Sequence, residues 1–67
     1  MKPTRLEARA FHALRVTAGI RQVDVAELAF AHVMHVSRFE RGASVPDGVG
    51  ERLPVALNVL AEVLPHD

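Results

Sequence analysis

The stretch from residue 22 to residue 42 constrains the fold more than any other part of the chain. It contains two short segments in which apolar and small side chains recur at helical spacing, Gln22–Ala29 and Val33–Arg41. Only Phe30-Ala31-His32 separates these segments, and Gly42 follows the second one. The sequence therefore predicts two short helices joined by a tight turn.

A further helix is predicted before this pair. Thr4 and Glu7 have the spacing of a capping box, in which each residue satisfies a backbone N–H of the other. The apolar face that follows has helical spacing, and Gly19 can end the helix in a left-handed conformation. We therefore expect the first helix over residues 5–18.

The chain after the pair is predicted to form two more helices. Residues 49–57 have a helical pattern with a kink or an early boundary at Pro54, because proline removes a backbone donor and clashes with the preceding turn. Residues 59–64 predict a last short helix, which Pro65 stops. No strand pattern or repeat occurs. The expected architecture is thus all-α, a single compact five-helix domain over residues 1–67.

Composition and charge limit the kinds of protein that this chain can be. It has no cysteine, which excludes disulfides and thiolate metal sites and favours an intracellular setting. It shows neither a signal peptide nor an apolar run of the roughly 20 residues that span a membrane. Residues 1–41 contain seven basic and four acidic side chains, a net +3, whereas residues 42–67 contain one basic and four acidic, a net −3. The first part could therefore face phosphate groups.

The residue sets of common catalytic and metal sites are missing from the sequence. It contains no Ser/His/Asp or Cys/His set and no phosphate loop, and so short a chain leaves little room for a pocket. His32 and His35 have the i, i+3 spacing of a metal-chelating pair, but no cysteine or nearby carboxylate completes a ligand set. We therefore expect no enzyme activity, no catalytic residues, no metal and no cofactor.

Four pieces of the sequence resemble, in order and spacing, the Cro and phage-repressor family of DNA-binding domains, also called the XRE family. These pieces are Leu14-Arg15 with Gly19-Ile20, Gln22 with Val25-Ala26-Glu27, Ser37-Arg38-Phe39-Glu40-Arg41-Gly42, and Val45-Pro46 with Ala56-Leu57-Asn58-Val59. The similarity covers about residues 6–64. It implies a lambda-repressor-like helix-turn-helix fold and a Cro-type repressor, a transcriptional regulator that inserts helix 33–41 into the major groove of a double-stranded DNA operator.

The resemblance also implies roles for individual residues. Arg38 matches a base-reading position, and its guanidinium fork fits O6 and N7 of guanine. The other base-reading positions are Val33 and Met34. A helix N-terminus suits phosphate contacts, and the candidates for these are Gln22, Arg21 and Arg41. Arg15 and Glu40 correspond to an ion pair that joins the first helix to the end of the third.

The family resemblance further implies a homodimer on a pseudo-palindromic operator, with the two recognition helices about 34 Å apart. The segment 55–64 has more apolar surface than one short helix can bury against its own domain. We therefore assign the dimer contact to Val55, Val59, Leu60, Val63 and Leu64. A cytoplasmic, nucleoid-associated protein of a prokaryote, phage or plasmid is the setting that the resemblance implies.

The turn and the reading positions depart from the family pattern. Phe30 stands where the family has glycine, so the turn is either strained or rebuilt with a longer second helix, or else Phe30 is tucked into the core. Val33 and Met34 replace polar readers, although apolar side chains can contact thymine methyl groups. An alternative function follows: a protein-interaction module, such as an antitoxin-like or anti-repressor partner. It would use the apolar surface of Leu28, Phe30, Val33 and Met34, with Val23 nearby.

Overall fold

A computed structural model describes residues 1–63, and this part of the chain contains four α-helices and no strand. The helices are Arg5–Thr17 (α1), Gln22–Leu28 (α2), Val33–Glu40 (α3) and Asp47–Val63 (α4). The first three begin and end within one residue of their predicted limits, which is the usual uncertainty of a helix boundary. The all-α class is therefore confirmed for the described residues.

The two helices predicted over residues 49–57 and 59–64 are wrong, because α4 is one helix that continues through Pro54. Leu53 and Leu57 lie on either side of Pro54 and are both fully buried in the core. Tertiary packing of an apolar face supplies most of the stability of a helix in a protein. Here it outweighs the hydrogen bond that Pro54 cannot make. Asn58, which separates the two predicted helices, lies within α4 and is exposed.

One apolar cluster joins all four helices. The Phe11 and Phe39 rings pack against each other with centroids 4.9 Å apart, which connects α1 to α3. Ala26 on α2 is buried in this cluster, where a larger side chain would disturb the packing. The members of the cluster are Phe11, Ile20, Val25, Ala26, Ala29, Val36, Phe39, Val45, Val49, Leu53, Ala56 and Leu57.

The first three helices end in the same backbone geometry. The residue after the C-cap is left-handed in each case, with φ of 71° at Gly19, 53° at Phe30 and 74° at Gly42. The next residue then donates its N–H to the carbonyl five residues earlier, at 2.9–3.0 Å. Glycine adopts this conformation freely, whereas a side chain resists it. The turn is therefore strained rather than rebuilt, and Phe30 is 86% exposed rather than tucked into the core.

Replacing Phe30 with glycine is expected to raise the free energy of unfolding by about 0.5–1 kcal/mol. The change removes the left-handed strain and gives up little buried surface, although the greater freedom of glycine in the unfolded chain offsets part of the gain. Thermal unfolding of dilute protein, followed by circular dichroism, measures the effect. Phe30→Ala keeps the Cβ and serves as the control. An equal gain in both variants would show that the backbone strain is not the cause.

Candidate nucleic-acid interface

Helix α3 has one buried and one exposed face. Val36 and Phe39 are buried in the core cluster, and Met34 and Arg38 lie on the opposite, exposed face, one helical turn apart. Met34 and Arg38 line one open depression of about 480 Å³, together with His35 and the segment Ser44–Pro46. The structure thus brings two of the three expected base-reading residues together. The third, Val33, is exposed at the start of α3 and does not line this depression.

Arg38 is oriented by the loop that follows α3. Its Nε donates a hydrogen bond to the carbonyl oxygen of Ser44 at 3.0 Å. Its two terminal nitrogens, Nη1 and Nη2, make no hydrogen bond to any residue between 1 and 63. A guanidinium held through Nε presents these two terminal nitrogens in a fixed plane. Arg38 therefore has a restrained orientation, and its two terminal nitrogens are free to donate to a molecule outside the protein.

Two histidines cap the start of α3. His32 Nδ1 accepts a hydrogen bond from the backbone N–H of Met34 at 3.1 Å. His35 Nδ1 accepts one in return from the N–H of His32 at 3.4 Å. Both contacts need an unprotonated Nδ1, and both satisfy donors that a helix N-terminus leaves without partners. The cap fixes the first turn of α3, from which Met34 projects.

An ion pair joins α1 to the end of α3, between the residues that the family resemblance implied. Arg15 Nε donates to Glu40 Oε2 at 2.5 Å, and Nη2 donates to Oε1 at 3.1 Å. The same guanidinium donates through Nη1 to the carbonyl of Ile20 at 2.9 Å, in the connection between α1 and α2. The Arg15 and Glu40 side chains are only 12% and 6% exposed. This pair holds three elements in one geometry.

Glu40 accepts two more hydrogen bonds that sequence reasoning missed. The donors are His12, whose Nδ1 lies 2.6 Å from Oε1, and Gln22, whose Nε2 lies 3.1 Å from Oε1. Burial by itself would raise the pKa of Glu40, but the hydrogen bonds from Arg15, His12 and Gln22 outweigh it and hold the pKa below the usual 4.5. The Gln22 amide therefore uses one of its donors within the protein, and the phosphate contact expected of Gln22 stays a prediction.

The other two expected phosphate contacts differ in their surroundings. Arg21 is paired with Asp24 through two hydrogen bonds, of 3.0 Å from Nε and 2.9 Å from Nη2. The hydrogen bonds from Arg21 lower the pKa of Asp24, so the carboxylate stays charged and offsets the arginine. Arg41 donates through Nη1 to the Ser37 hydroxyl at 2.8 Å and is exposed. Of the two, Arg41 is the better placed to contact an anion.

Two further arginines lie beside Arg41, and the sequence did not single them out. Arg5 and Arg9 on α1 line a depression of about 490 Å³ together with Ala8, Arg41, Gly42 and Glu40, whose carboxylate is paired with Arg15. Neither Arg5 nor Arg9 makes a side-chain hydrogen bond or ion pair within residues 1–63. Their i, i+4 spacing indicates a shared helix face, but only the packing of α1 against α3 places that face next to Arg41.

The predicted apolar surface is exposed, but its residues line different depressions. Leu28 and Phe30 lie beside α4 in a groove of about 470 Å³, whereas Met34 lines the depression around Arg38. We call the first of these the turn–α4 groove. It is lined by Leu28, Ala29, Phe30, Glu51, Arg52, Val55, Ala56 and Val59. Residues 28–30 and 51–59, considered separately in the sequence, therefore meet on one surface.

The residues expected in a dimer contact are not equally available. Val55, Val59 and Val63 are exposed on α4. Leu60 is half-buried and packs against the core cluster, so it has less surface for a partner than expected. Leu64 lies outside the described residues. The exposed apolar side chains of α4 therefore recur every four residues, which places them along one helix face.

Comparison of the chain with known protein families, with curated proteins and with solved structures gave no match. Within residues 1–63, no three His, Cys, Asp or Glu side chains form a group suited to a metal ion. No helix in that range is both long and apolar enough to cross a membrane. The functional argument for this chain therefore depends on its own residues and their geometry.

Proposed function

We propose that this protein is a helix-turn-helix transcriptional regulator of the Cro type, which binds a double-stranded DNA operator by inserting α3 into the major groove. The supporting observation is the exposed face of α3, on which Met34 and oriented Arg38 project while Val36 and Phe39 anchor the helix from behind. A major groove admits one α-helix and is read by side chains on such a face.

The chemistry of this face favours a mixed contact. The free terminal nitrogens of Arg38 match the O6 and N7 acceptors of guanine. Met34 and Val33 have no donors or acceptors suited to base edges, and they contact thymine methyl groups in this proposal. Such a face would distinguish fewer base pairs by hydrogen bonding than a polar one.

Phosphate contacts in this proposal come mainly from Arg5, Arg9 and Arg41. The three side chains share a depression at the end of α3, and a cluster of cations releases counterions from DNA when it binds. The regulator works in the cytoplasm as a homodimer on a pseudo-palindromic site, with the partner contact on α4.

Arg38→Ala is expected to cost about 1–3 kcal/mol of specific binding and to relax the sequence preference at one position. Arg41→Ala, the matched control, should weaken binding to all sequences and lower the salt slope by about 1. A binding selection on random DNA, titrated with salt, measures both effects. Absence of binding to bulk DNA at low salt would overturn the proposal, as would an Arg38→Ala variant that selects the unchanged motif.

A second candidate is a protein-interaction module, such as an antitoxin-like or anti-repressor partner. The exposed apolar side chains of Leu28, Phe30, Val33 and Met34 favour it. Met34→Lys distinguishes the two functions, because a cation on α3 should disrupt an apolar protein contact but preserve or strengthen DNA affinity. The outcome is read from DNA affinity and from capture of a protein partner by the same variant.

A further inference from the structure

Phe30 has a backbone conformation that is unfavourable for a residue with a side chain. Its left-handed φ of 53° carries a conformational cost that glycine would avoid. Phe30 is 86% exposed, so burial within residues 1–63 offsets little of that cost. Residues with strained backbone conformations cluster at functional sites, where contacts outside the local backbone keep them in place. The ring of Phe30 therefore points to a contact beyond its own chain.

The surface beside Phe30 is largely apolar. Leu28, Val55 and Val59 line the turn–α4 groove with it. The neighbouring depression, lined by Leu28 and Leu60 together with the acidic Asp24 and Glu27, lies next to this groove on the side of α2. Val63 lies four residues after Val59 on the same exposed helix face. A projecting ring and an open groove thus lie on one side of the molecule.

The charges at the groove are suited to a second copy of the same surface. The side chain of Glu51 makes no hydrogen bond or ion pair within residues 1–63. The guanidinium of Arg52 has no carboxylate partner in the same range. Arg52 Nε instead donates to the carbonyl of Ala29 at 2.7 Å, which holds the cation at the groove wall. In a two-fold interface, Glu51 of each copy can meet Arg52 of the other, so both charges are paired at once.

The surface area that a stable dimer must bury also favours a contact that includes the turn–α4 groove. A standard interface buries roughly 800 Å² on each partner, which is nearly a fifth of the 4392 Å² surface of the described chain. Three exposed valines on α4 supply only a small part of that area. A single phenylalanine adds about 150–250 Å². The contact predicted on α4 alone therefore falls short of this area, and including the turn brings it closer.

We propose that the turn–α4 groove is a self-association site, in which Phe30 of each copy inserts into the groove of the other. The role of this dimer, which is to present two α3 helices to one operator, rests on the proposed function. The partner is a second copy of this chain, and the interface is isologous, formed by the same residues on both sides. Phe30 is its central anchor, because buried aromatic residues dominate binding energy at interfaces.

Sedimentation equilibrium without DNA, over a wide concentration range, tests the site directly. Val55→Glu places an uncompensated charge in the groove and should weaken dimerisation at least roughly 30-fold. Val16→Glu is the matched control, because Val16 is a similarly exposed valine in α1 (56% against 62% for Val55) and lies outside the groove. It should leave the dimerisation constant unchanged.

Phe30→Gly gives a second test, because replacing a residue with a purely structural role would not lower dimerisation and raise monomer stability together. The variant should weaken dimerisation at least roughly 30-fold while raising the thermal midpoint of the dilute monomer. Glu51→Arg should also weaken dimerisation, because it brings two cations together across the two-fold axis. Loss of association together with a destabilised monomer in Phe30→Gly would contradict the proposal.

Three other results would overturn it. They are a wild-type chain that stays monomeric at high concentration, groove variants that associate like the wild type, and self-association that appears only when residues 64–67 are removed. The last result would show that the end of the chain covers its own groove. The sedimentation experiment contains no DNA. A result that overturns the self-association site therefore does not contradict DNA binding by α3. Conversely, a dimer that binds no DNA would overturn only the proposed function.

Discussion

Replacing Glu40 with glutamine is expected to lower the free energy of unfolding by roughly 3 kcal/mol, because the change leaves the mostly buried Arg15 guanidinium without its counter-charge. The carboxylate accepts from Arg15, His12 and Gln22, so α1, the start of α2 and the end of α3 all lose a shared anchor. For a domain of this size the thermal midpoint should fall by more than about 10 °C. Calorimetry or circular dichroism measures the change.

Glu62→Gln is the control for this prediction, because Glu62 is exposed on α4 and makes no ion pair within residues 1–63. It should change stability by less than about 0.5 kcal/mol. The pKa of Glu40 is held below 4.5 in the folded state, so its stabilising contribution is complete above that pH and is lost as the pH falls through the folded-state value. Glu40→Gln should therefore lose less stability than the wild type on acidification. Equal acid sensitivity would contradict the role assigned to Glu40.

Phe39→Ala is expected to cost about 3–5 kcal/mol, the range for truncating a buried aromatic residue. Phe39 is 1% exposed and packs on Phe11, so it forms an apolar contact between α3 and α1. The total stability of a 67-residue domain is only about 3–10 kcal/mol. The variant should therefore be largely unfolded or marginally folded at 25 °C, with loss of helical circular dichroism and of any binding through α3.

Phe30→Ala is the control for Phe39→Ala, since it makes the same substitution at an exposed position of the same chain. In dilute solution it should change stability by less than about 0.5 kcal/mol. A cooperative urea transition near that of the wild type for Phe39→Ala would show that the α1–α3 contact is less important than its burial indicates. The pair of variants thus separates loss of the core from loss of an exposed ring.

The helix limits in the first two-thirds of the chain were predictable because local chemistry determines them. Thr4 and Glu7 form the reciprocal cap that their spacing predicts, and Gly19 takes the left-handed conformation expected of it. Pro54 shows where local reasoning fails. Its own propensity predicts a break, but the burial of Leu53 and Leu57 on either side keeps α4 continuous.

The candidate site was predictable to a smaller extent. The spacing of Met34 and Arg38 indicates one helix face, and the structure puts both at one depression. The engagement of Gln22 with Glu40 was not predictable, because it depends on the distance between α2 and the end of α3. The same reason applies to Arg5 and Arg9, whose proximity to Arg41 arises from helix packing.

The sequence by itself determined the all-α class and the limits of α1 to α3. These properties depend on caps, turns and periodicity, which act over a few residues. Only the tertiary structure decided that α4 is continuous, that Gln22 turns inward, and that Phe30 lies beside Val55 and Val59. Those outcomes depend on contacts between residues about 18 to 30 positions apart, whose distance is set by the packing of whole helices.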